Sequence, residues 1–283
     1  MKTKHLRLMQ RAYVILFFCF MYLPIAYMIV FSFNQSKGYA LFTGFTLKWY
    51  TSLLHNSAIL SALRVSLEVA LISAVIATVL GTAASLGIAS MSRKSRLVVT
   101  NITYIPVVNP EIITGISLML LFVAYQRFAE GVSWLPDTIM GMPTLLIAHI
   151  AFNVPYVIFN VSPKLRQLDP AVYDAALDLG CNPRQAFFKV VLPQLTPAIL
   201  SAFLISLTYS IDDFIISYFT SGTMQTLPIA IYSMTKKKVS PEINALSAIM
   251  FVVILTIILA ANAVDSAKER RLRRAARAEE GRR

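Results

Sequence analysis

The first long apolar stretch of the chain, residues 13–33, reads YVILFFCFMYLPIAYMIVFSF and contains no charged residue. A helix that crosses a bilayer needs about 20 apolar residues in a row, so this stretch has the length of a transmembrane span. It is too long for the apolar region of a signal peptide, and no small-x-small cleavage site closes it. We therefore predict that residues 13–33 form an uncleaved first span.

Five further apolar stretches predict an all-α fold, a polytopic integral membrane bundle of six transmembrane helices. They are residues 58–90, 98–125, 138–161, 196–220 and 245–264. Hydrophobic residues make up 57% of the chain and charged residues only 14%, whereas a soluble domain has about 25% charged residues. We interpret residues 1–283 as a single transmembrane domain.

The basic residues predict which side of the membrane each loop occupies. Most of the 26 Lys and Arg residues fall in the segments 1–12, 93–96, 163–195 and 268–283. These segments share one side if both termini are cytoplasmic, and cytoplasmic loops carry an excess of basic residues. The net charge of +12 therefore indicates topology, not nucleic-acid binding. Lys236, Lys237 and Lys238 are exceptions, because this topology places them outside.

One face of the second span carries only small residues. Ala77, Gly81, Ser85 and Ala89 follow one another at a spacing of four, which places them on one side of a helix. Small residues allow helix backbones to approach closely in lipid, where no hydrophobic effect drives association. The pattern predicts a buried helix–helix contact along this face.

The loop 163–195 carries two helix-start signals. Asp169-Pro170 and Asn182-Pro183 each combine an N-cap residue with a proline at the first helical position. Gly180 suits the left-handed conformation that ends the first helix, and Pro193 is expected to end the second. A docking surface and a hairpin folded onto its own bundle are both compatible with this pattern.

The same loop resembles the EAA loop of ABC importer permeases. The matching residues are Asp174-Ala175-Ala176, then Gly180, then Val190-Val191-Leu192-Pro193, with Asp in place of Glu and Val in place of Ile. The resemblance implies the architecture of a type I (MetI-like) ABC importer permease. It also implies that Asp174, Ala175, Ala176, Gly180, Leu192 and Pro193 belong to a coupling helix that docks on an ATPase subunit.

Other motifs are similar to the second permease subunit of spermidine/putrescine transporters. They include Asn109-Pro110-Glu111-Ile112, Ile211-Asp212-Asp213-Phe214 and 239–245, VSPEINA. The resemblance implies a prokaryotic inner membrane protein that works with a second permease, two ATPase copies and an extracytoplasmic polyamine-binding protein. It further implies that ATP and Mg bind to the ATPase and that this chain holds no cofactor. Related permeases carry iron, thiamine or sulfate, and these substrates remain alternatives.

Acidic residues inside predicted spans are candidates for a substrate pathway. An ionised Asp at the centre of a bilayer costs about 2.5–3.5 kcal/mol, so such residues usually face a cavity and have a function. Glu111 is predicted near the middle of the third span, and Asp212 and Asp213 near the outer end of the fifth, pointing in different directions. A cation in the membrane needs anionic or aromatic partners, so we add Tyr209 as a fourth candidate. Structural pairing of the acids with neighbouring helices is the alternative.

Two further polar groups are predicted to be structural. Arg64 and Glu68 have the spacing of an ion pair within one helix. We expect His149 to be a hydrogen-bonded packing residue, because no second His or Cys lies near it in the sequence.

The sequence offers little support for two other classes of function. An integral membrane enzyme would be expected to carry a motif such as HExxH or GxSxG, and neither is present. A self-contained secondary transporter or channel would be favoured by an inverted repeat, which we do not detect. The chain has no Gly-Lys dipeptide and hence no P-loop, so ATP hydrolysis requires a separate subunit.

Overall fold

The computed structural model describes residues 2–37, 41–130, 139–237, 241–256, 259 and 263. In this part of the chain the regular structure is helical, apart from one isolated β-bridge between Asn34 and Phe45. The helices are α1 (Lys2–Phe31), α2 (Lys48–His55), α3 (Ser57–Ser90), α4 (Arg93–Val108), α5 (Glu111–Ala129), α6 (Met142–Arg166), α7 (Pro170–Asp178), α8 (Pro183–Ala186), α9 (Leu192–Asp212), α10 (Ile215–Thr220), α11 (Leu227–Lys237) and α12 (Pro241–Thr256), with a π-helical turn at Phe187–Val191.

Five helical segments of the described chain are long and apolar enough to cross a membrane. They are Met9–Phe31, Ser57–Ser90, Glu111–Ala129, Met142–Arg166 and Pro183–Asp212. The predicted sixth span, 245–264, begins within α12, and most of its residues beyond Thr256 lie outside the described residues. The basic tail 268–283 lies outside them as well.

The predicted single span over 98–125 is wrong, because two helices occupy this region. α4 ends at Val108 and α5 begins at Glu111, with Asn109 in an extended conformation at ψ 135°. The cause is Pro110, whose ring disfavours the helical conformation of the residue before it. Pro106, in contrast, lies inside α4.

The predicted span over 196–220 is also interrupted. α9 ends at Asp212, Asp213 is extended at ψ 118°, and α10 resumes at Ile215. Backbone groups that leave a helix within a membrane must find other partners. This break therefore depends on side chains, which are described below with the site.

Pro193 does not end the second helix of the loop, contrary to the prediction. The chain continues from α8 through the π-helical turn into α9, where Pro193 lies in the first turn. The Leu192 N–H donates to the carbonyl of Phe187, a hydrogen bond that spans five residues. A π turn is wider than an α turn, and the first turn of a helix does not need the N–H that proline lacks, so the helical path passes through the proline.

The chain forms two compact units, Met1–Ser57 with Met234–Arg283, and Ala58–Ser233. The second unit has a core of buried apolar side chains between α3, α6 and α9. Its members are Ala77, Val157, Val161 and Ala202. A second cluster, made of Phe122, Ala148, Phe152 and Ile216, joins α5 and α10 to α6.

The small-residue face of α3 is buried over most of its length, as predicted: Ala77, Gly81 and Ser85 are buried and Ala89 is half-buried. This face lies against α6. A Cβ atom added to Gly81 would lie 2.5 Å from Cβ of Val157 and 3.1 Å from the carbonyl oxygen of Val154. The two helices are therefore in near-backbone contact at this point.

The first unit contains α2 and the segment that precedes it. The buried indole of Trp49 donates to the carbonyl of Asn34 at 2.7 Å, and the Asn34 side chain accepts from the Thr43 N–H at 2.8 Å. The Ser52 hydroxyl donates to Glu242 at 2.6 Å, which ties α2 to the first turn of α12. Hydrogen bonds thus order this region together with aromatic contacts, in which the Phe33 ring stacks on those of Phe45 and Tyr50.

Candidate functional site

Glu111 opens helix α5 and does not lie in the middle of a span, so its predicted position is wrong. The Pro110 break places it in the first turn, where a carboxylate is stabilised by the N-terminal end of the helix dipole. Its side chain is exposed in the isolated chain. Among the described residues, its carboxylate forms no hydrogen bond or ion pair.

The neighbouring acids Asp212 and Asp213 differ sharply in their surroundings. Asp212, the last residue of α9, is exposed and makes no hydrogen bond within the described residues. Asp213 is only 8% exposed, and its carboxylate accepts from the Ile216 N–H at 3.2 Å and the Ser217 N–H at 2.7 Å. The two side chains therefore differ in burial, because the helix ends between them.

The two helix breaks bring the three acids together. Gly115 in α5 packs against α10, where an added Cβ would lie 2.9 Å from the Phe219 ring and 3.5 Å from the Ile215 carbonyl. With α5 held this close, the carboxylate of Glu111 lies within electrostatic range of Asp213 and Asp212. The two helix breaks therefore place the three acidic residues in one region of the chain.

An aromatic cluster lies beside these acids. The rings of Tyr156 and Tyr209 meet edge to face at 4.8 Å, and Phe152 lies 5.2 Å from Tyr156. Tyr156 is also within electrostatic range of Glu111. Tyr209 is among the residues predicted from the sequence, but Tyr156 and Phe152 are not. The spacing of four between these two residues places both rings on one face of α6, which the sequence alone could have shown.

His149 is hydrogen-bonded on both sides of its ring, in agreement with its predicted structural role. Nδ1 lies 2.5 Å from the Ser210 hydroxyl, and Nε2 lies 3.0 Å from the Ser217 hydroxyl and 3.5 Å from the Asp213 carboxylate. Ser73 on α3 extends the network to Ser210 at 2.9 Å. Sequence reasoning did not connect His149 with Asp213.

This arrangement is suited to a cation. Carboxylates and the faces of tyrosine rings are the groups that replace water around an ammonium group. The Asp213 carboxylate already accepts hydrogen bonds from the backbone of α10. Glu111 and Asp212 are therefore the acids that can bind a ligand, and Tyr156 and Tyr209 lie beside them. The described residues contain no cluster of His, Cys, Asp and Glu that would hold a metal ion.

The loop between α6 and α9 forms the predicted corner. Asp169 caps α7 by accepting from the Ala171 N–H at 2.9 Å. At the other end, Gly180 has φ +88°, its N–H donates to the Leu177 carbonyl, and the Cys181 N–H donates to that of Ala176. These are the two hydrogen bonds of a Schellman motif, so the positive φ of Gly180 is required by the turn.

The coupling-loop residues named from the resemblance are mostly exposed. Asp174, Ala175, Gly180 and Pro193 are exposed, Leu192 is half-buried and Ala176 is buried. Leu179 and Phe188 add large apolar side chains that are 86% and 63% exposed. An exposed apolar surface of this kind is typical of a protein–protein contact.

Two other polar predictions have different outcomes. Arg64 and Glu68 form the predicted ion pair, with 2.7 Å between Nε and Oε1. α11 extends to Lys237, so Lys236 and Lys237 continue a helix where a loop was expected. Lys238 lies outside the described residues.

The sequence matches proteins of polyamine transport over most of its length. The putrescine transport system permease protein PotI of Escherichia coli K12 is 38% identical over 240 residues, which cover 84% of this chain and 83% of PotI. The spermidine/putrescine transport system permease protein PotC of the same strain is 32% identical over 259 residues, covering 91% of this chain and 94% of PotC.

Solved structures support the fold. A bacterial ABC transporter involved in the import of the acidic polysaccharide alginate has a chain that superposes with a TM-score of 0.72 at 18% identity. The match covers 93% of this chain and 95% of that chain. The family described as "Binding-protein-dependent transport system inner membrane component" matches residues 77–274. The chain therefore belongs to the family of inner membrane components of binding-protein-dependent transport systems.

Proposed function

We propose that this chain is the permease subunit of an ATP-driven importer that forms the translocation pathway for polyamines. Its relatives PotI and PotC bear the names of putrescine and spermidine/putrescine permeases. The observation that carries the proposal is the convergence of Glu111 and Asp212 with Tyr156 and Tyr209 at two helix breaks.

The chemistry of a polyamine fits this site. A polyamine is a flexible apolar chain with several ammonium groups, and each of these loses its water on entering a membrane. Carboxylates replace the lost charge stabilisation, and tyrosine faces contact both the ammonium groups and the methylenes between them. Helix breaks supply such groups without placing an acid in the lipid-facing middle of a helix.

The exposed coupling loop is proposed to dock on an ATPase subunit. Its surface combines Leu179 and Phe188 with Asp174 on a corner that the Schellman motif keeps rigid. Two ATPase copies would bind ATP and Mg, since this chain has no P-loop. A second permease and an extracytoplasmic binding protein complete the proposed assembly, with both termini of this chain in the cytoplasm.

The test is uptake of labelled putrescine and spermidine by the complete complex in proteoliposomes. Glu111→Gln combined with Asp212→Asn removes two charges and keeps side-chain shape. We expect uptake per complex to fall by roughly ten- to a hundredfold, since a hydrogen bond to a charged group contributes about 1.5–3 kcal/mol. Glu68→Gln is the matched control, because it removes an exposed acid that is paired with Arg64.

Two results would count against the proposal in different ways. Normal polyamine uptake by the double amide variant would refute the proposal that the charges of Glu111 and Asp212 bind the substrate. ATP-dependent uptake of another solute, with no polyamine uptake by the unaltered complex, would change the substrate class and leave the permease assignment intact. Melting of the same complexes in detergent separates loss of function from loss of structure.

A further inference from the structure

We propose that His149 is a positioning residue for the translocation site, because it fixes the angle of the break between α9 and α10. That angle sets the position of Glu111, whose helix α5 packs on α10, relative to Asp212 on α9. This inference rests on the proposed function for its transport readout. The observation behind it is that one buried imidazole contacts both sides of an interruption in the helix.

The break leaves the end of α9 and the start of α10 without a shared hydrogen-bond ladder. Asp213 caps α10 through the N–H groups of Ile216 and Ser217. This cap orders α10, and among the described residues the Asp213 carboxylate makes no hydrogen bond to α9. Contacts from other elements therefore set the angle between the two helices.

His149, from α6, is placed to do this. Ser210 lies in the last turn of α9 and Ser217 in the first turn of α10, and the two ring nitrogens of His149 contact one hydroxyl each. Nε2 is also 3.5 Å from the Asp213 carboxylate. His149 is 1% exposed, so water does not compete for these contacts.

The residues on the two sides of the break belong to different helices. Asp212 immediately precedes Asp213, closes α9 and is exposed. Phe214 immediately follows and packs against Tyr232 with ring centroids 4.6 Å apart. A change in the angle moves α10 relative to α9. Because α5 packs against α10 at Gly115, the change also moves Glu111 on α5 relative to Asp212 and Tyr209 on α9.

The first test uses two substitutions that preserve different halves of the imidazole. The amide of His149→Asn lies near the position of Nδ1 and can keep the Ser210 contact, whereas that of His149→Gln lies near Nε2 and can keep the Ser217 contact. In proteoliposomes, we expect each variant to raise KM and to change the putrescine-to-spermidine selectivity ratio by about threefold or more. A residue that only stabilises the fold would lower the yield of complex and leave both quantities unchanged.

Serine substitutions on α9 provide a matched control. Ser206 and Ser210 lie one turn apart, and both are buried. Ser210 contacts His149, whereas the Ser206 hydroxyl has no partner among the described residues. We expect Ser210→Ala to change selectivity in the same direction as His149→Asn or His149→Gln. Ser206→Ala should leave selectivity unchanged.

A second readout does not depend on the substrate. Cys19 and Cys181 are the two cysteines of the chain, so Cys19→Ser and Cys181→Ser allow a single thiol to be introduced by Asp212→Cys. We expect the rate of labelling by N-ethylmaleimide in the complete complex to change by about threefold or more when His149 is replaced by Gln or Asn.

The outcomes separate this inference from the proposed function. Unchanged labelling together with unchanged KM and selectivity would overturn the positioning role of His149. A complex that imports neither polyamine would refute the proposed substrate class, and the labelling rate would still decide the role of His149. A shift of equal size with Ser206→Ala would also overturn it, because that substitution breaks no contact with the imidazole.

Discussion

Gly81→Ala offers a direct test of the contact between α3 and α6. The added Cβ would lie 2.5 Å from Cβ of Val157, whereas carbon atoms in ordinary contact are about 3.5–4.0 Å apart. The obstructing atoms cannot rotate away, because one is a Cβ and the other, the carbonyl oxygen of Val154 at 3.1 Å, belongs to the backbone. The helices must therefore separate by about 1 Å.

The expected cost of this separation is about 1–3 kcal/mol, the usual range for overpacking. Alanine offsets part of it, since it is favoured over glycine in helices by up to about 1 kcal/mol. Gly87→Ala in the same helix is the control, because an added Cβ there meets nothing within 4 Å. We expect Gly81→Ala to lower the melting temperature of the detergent-solubilised complex and Gly87→Ala to leave it unchanged or raise it.

A compensating substitution makes the test more specific. Val157→Gly removes the obstructing Cβ, so the double variant Gly81→Ala, Val157→Gly should melt higher than the sum of the two single effects predicts. Val157→Ala keeps the Cβ and should not compensate. Equal melting of Gly81→Ala and Gly87→Ala would refute the near-backbone contact.

Three further predictions concern other parts of the chain. Gly180→Val should abolish the coupling of ATP hydrolysis to import while membrane insertion persists, because valine is strained at φ +88°. Asparagine tolerates this conformation, so Gly180→Asn should retain coupled transport. Equal coupling in the two variants would contradict the assignment of the coupling loop. Asp213→Asn should lower complex stability by about 1.5–3 kcal/mol by weakening a charged cap, whereas Asp212→Asn should lower uptake without this loss in detergent melting. Asn153→Leu should leave melting unchanged or raise it, because neither amide atom of this buried side chain has a partner among the described residues; a loss above about 1 kcal/mol would show that the amide is bonded.

Local sequence signals predicted much of the helical framework. The predicted span 58–90 and helix α3 differ by a single residue at the start. In lipid, a single apolar segment can satisfy its backbone hydrogen bonds only by forming a helix. The Gly180 corner was equally predictable, since N-cap and Schellman signals act over a few residues. In contrast, residues 98–125 do not form one span, although the stretch is apolar. Pro110 disfavours the helical conformation of Asn109, and the hydropathy of a stretch does not include this effect.

By itself, the sequence determined which segments are helical and apolar, where small residues face a neighbour and how the corner at Gly180 is built. Only the tertiary structure decided that Asp213 is a buried cap while Asp212 is exposed, and that His149 contacts Ser210, 61 residues away in the chain. The reason is physical. Hydropathy and capping are properties of a few consecutive residues, whereas the partner of a side chain depends on the rotation and register of packed helices, which close contacts such as Gly81 against Val157 fix.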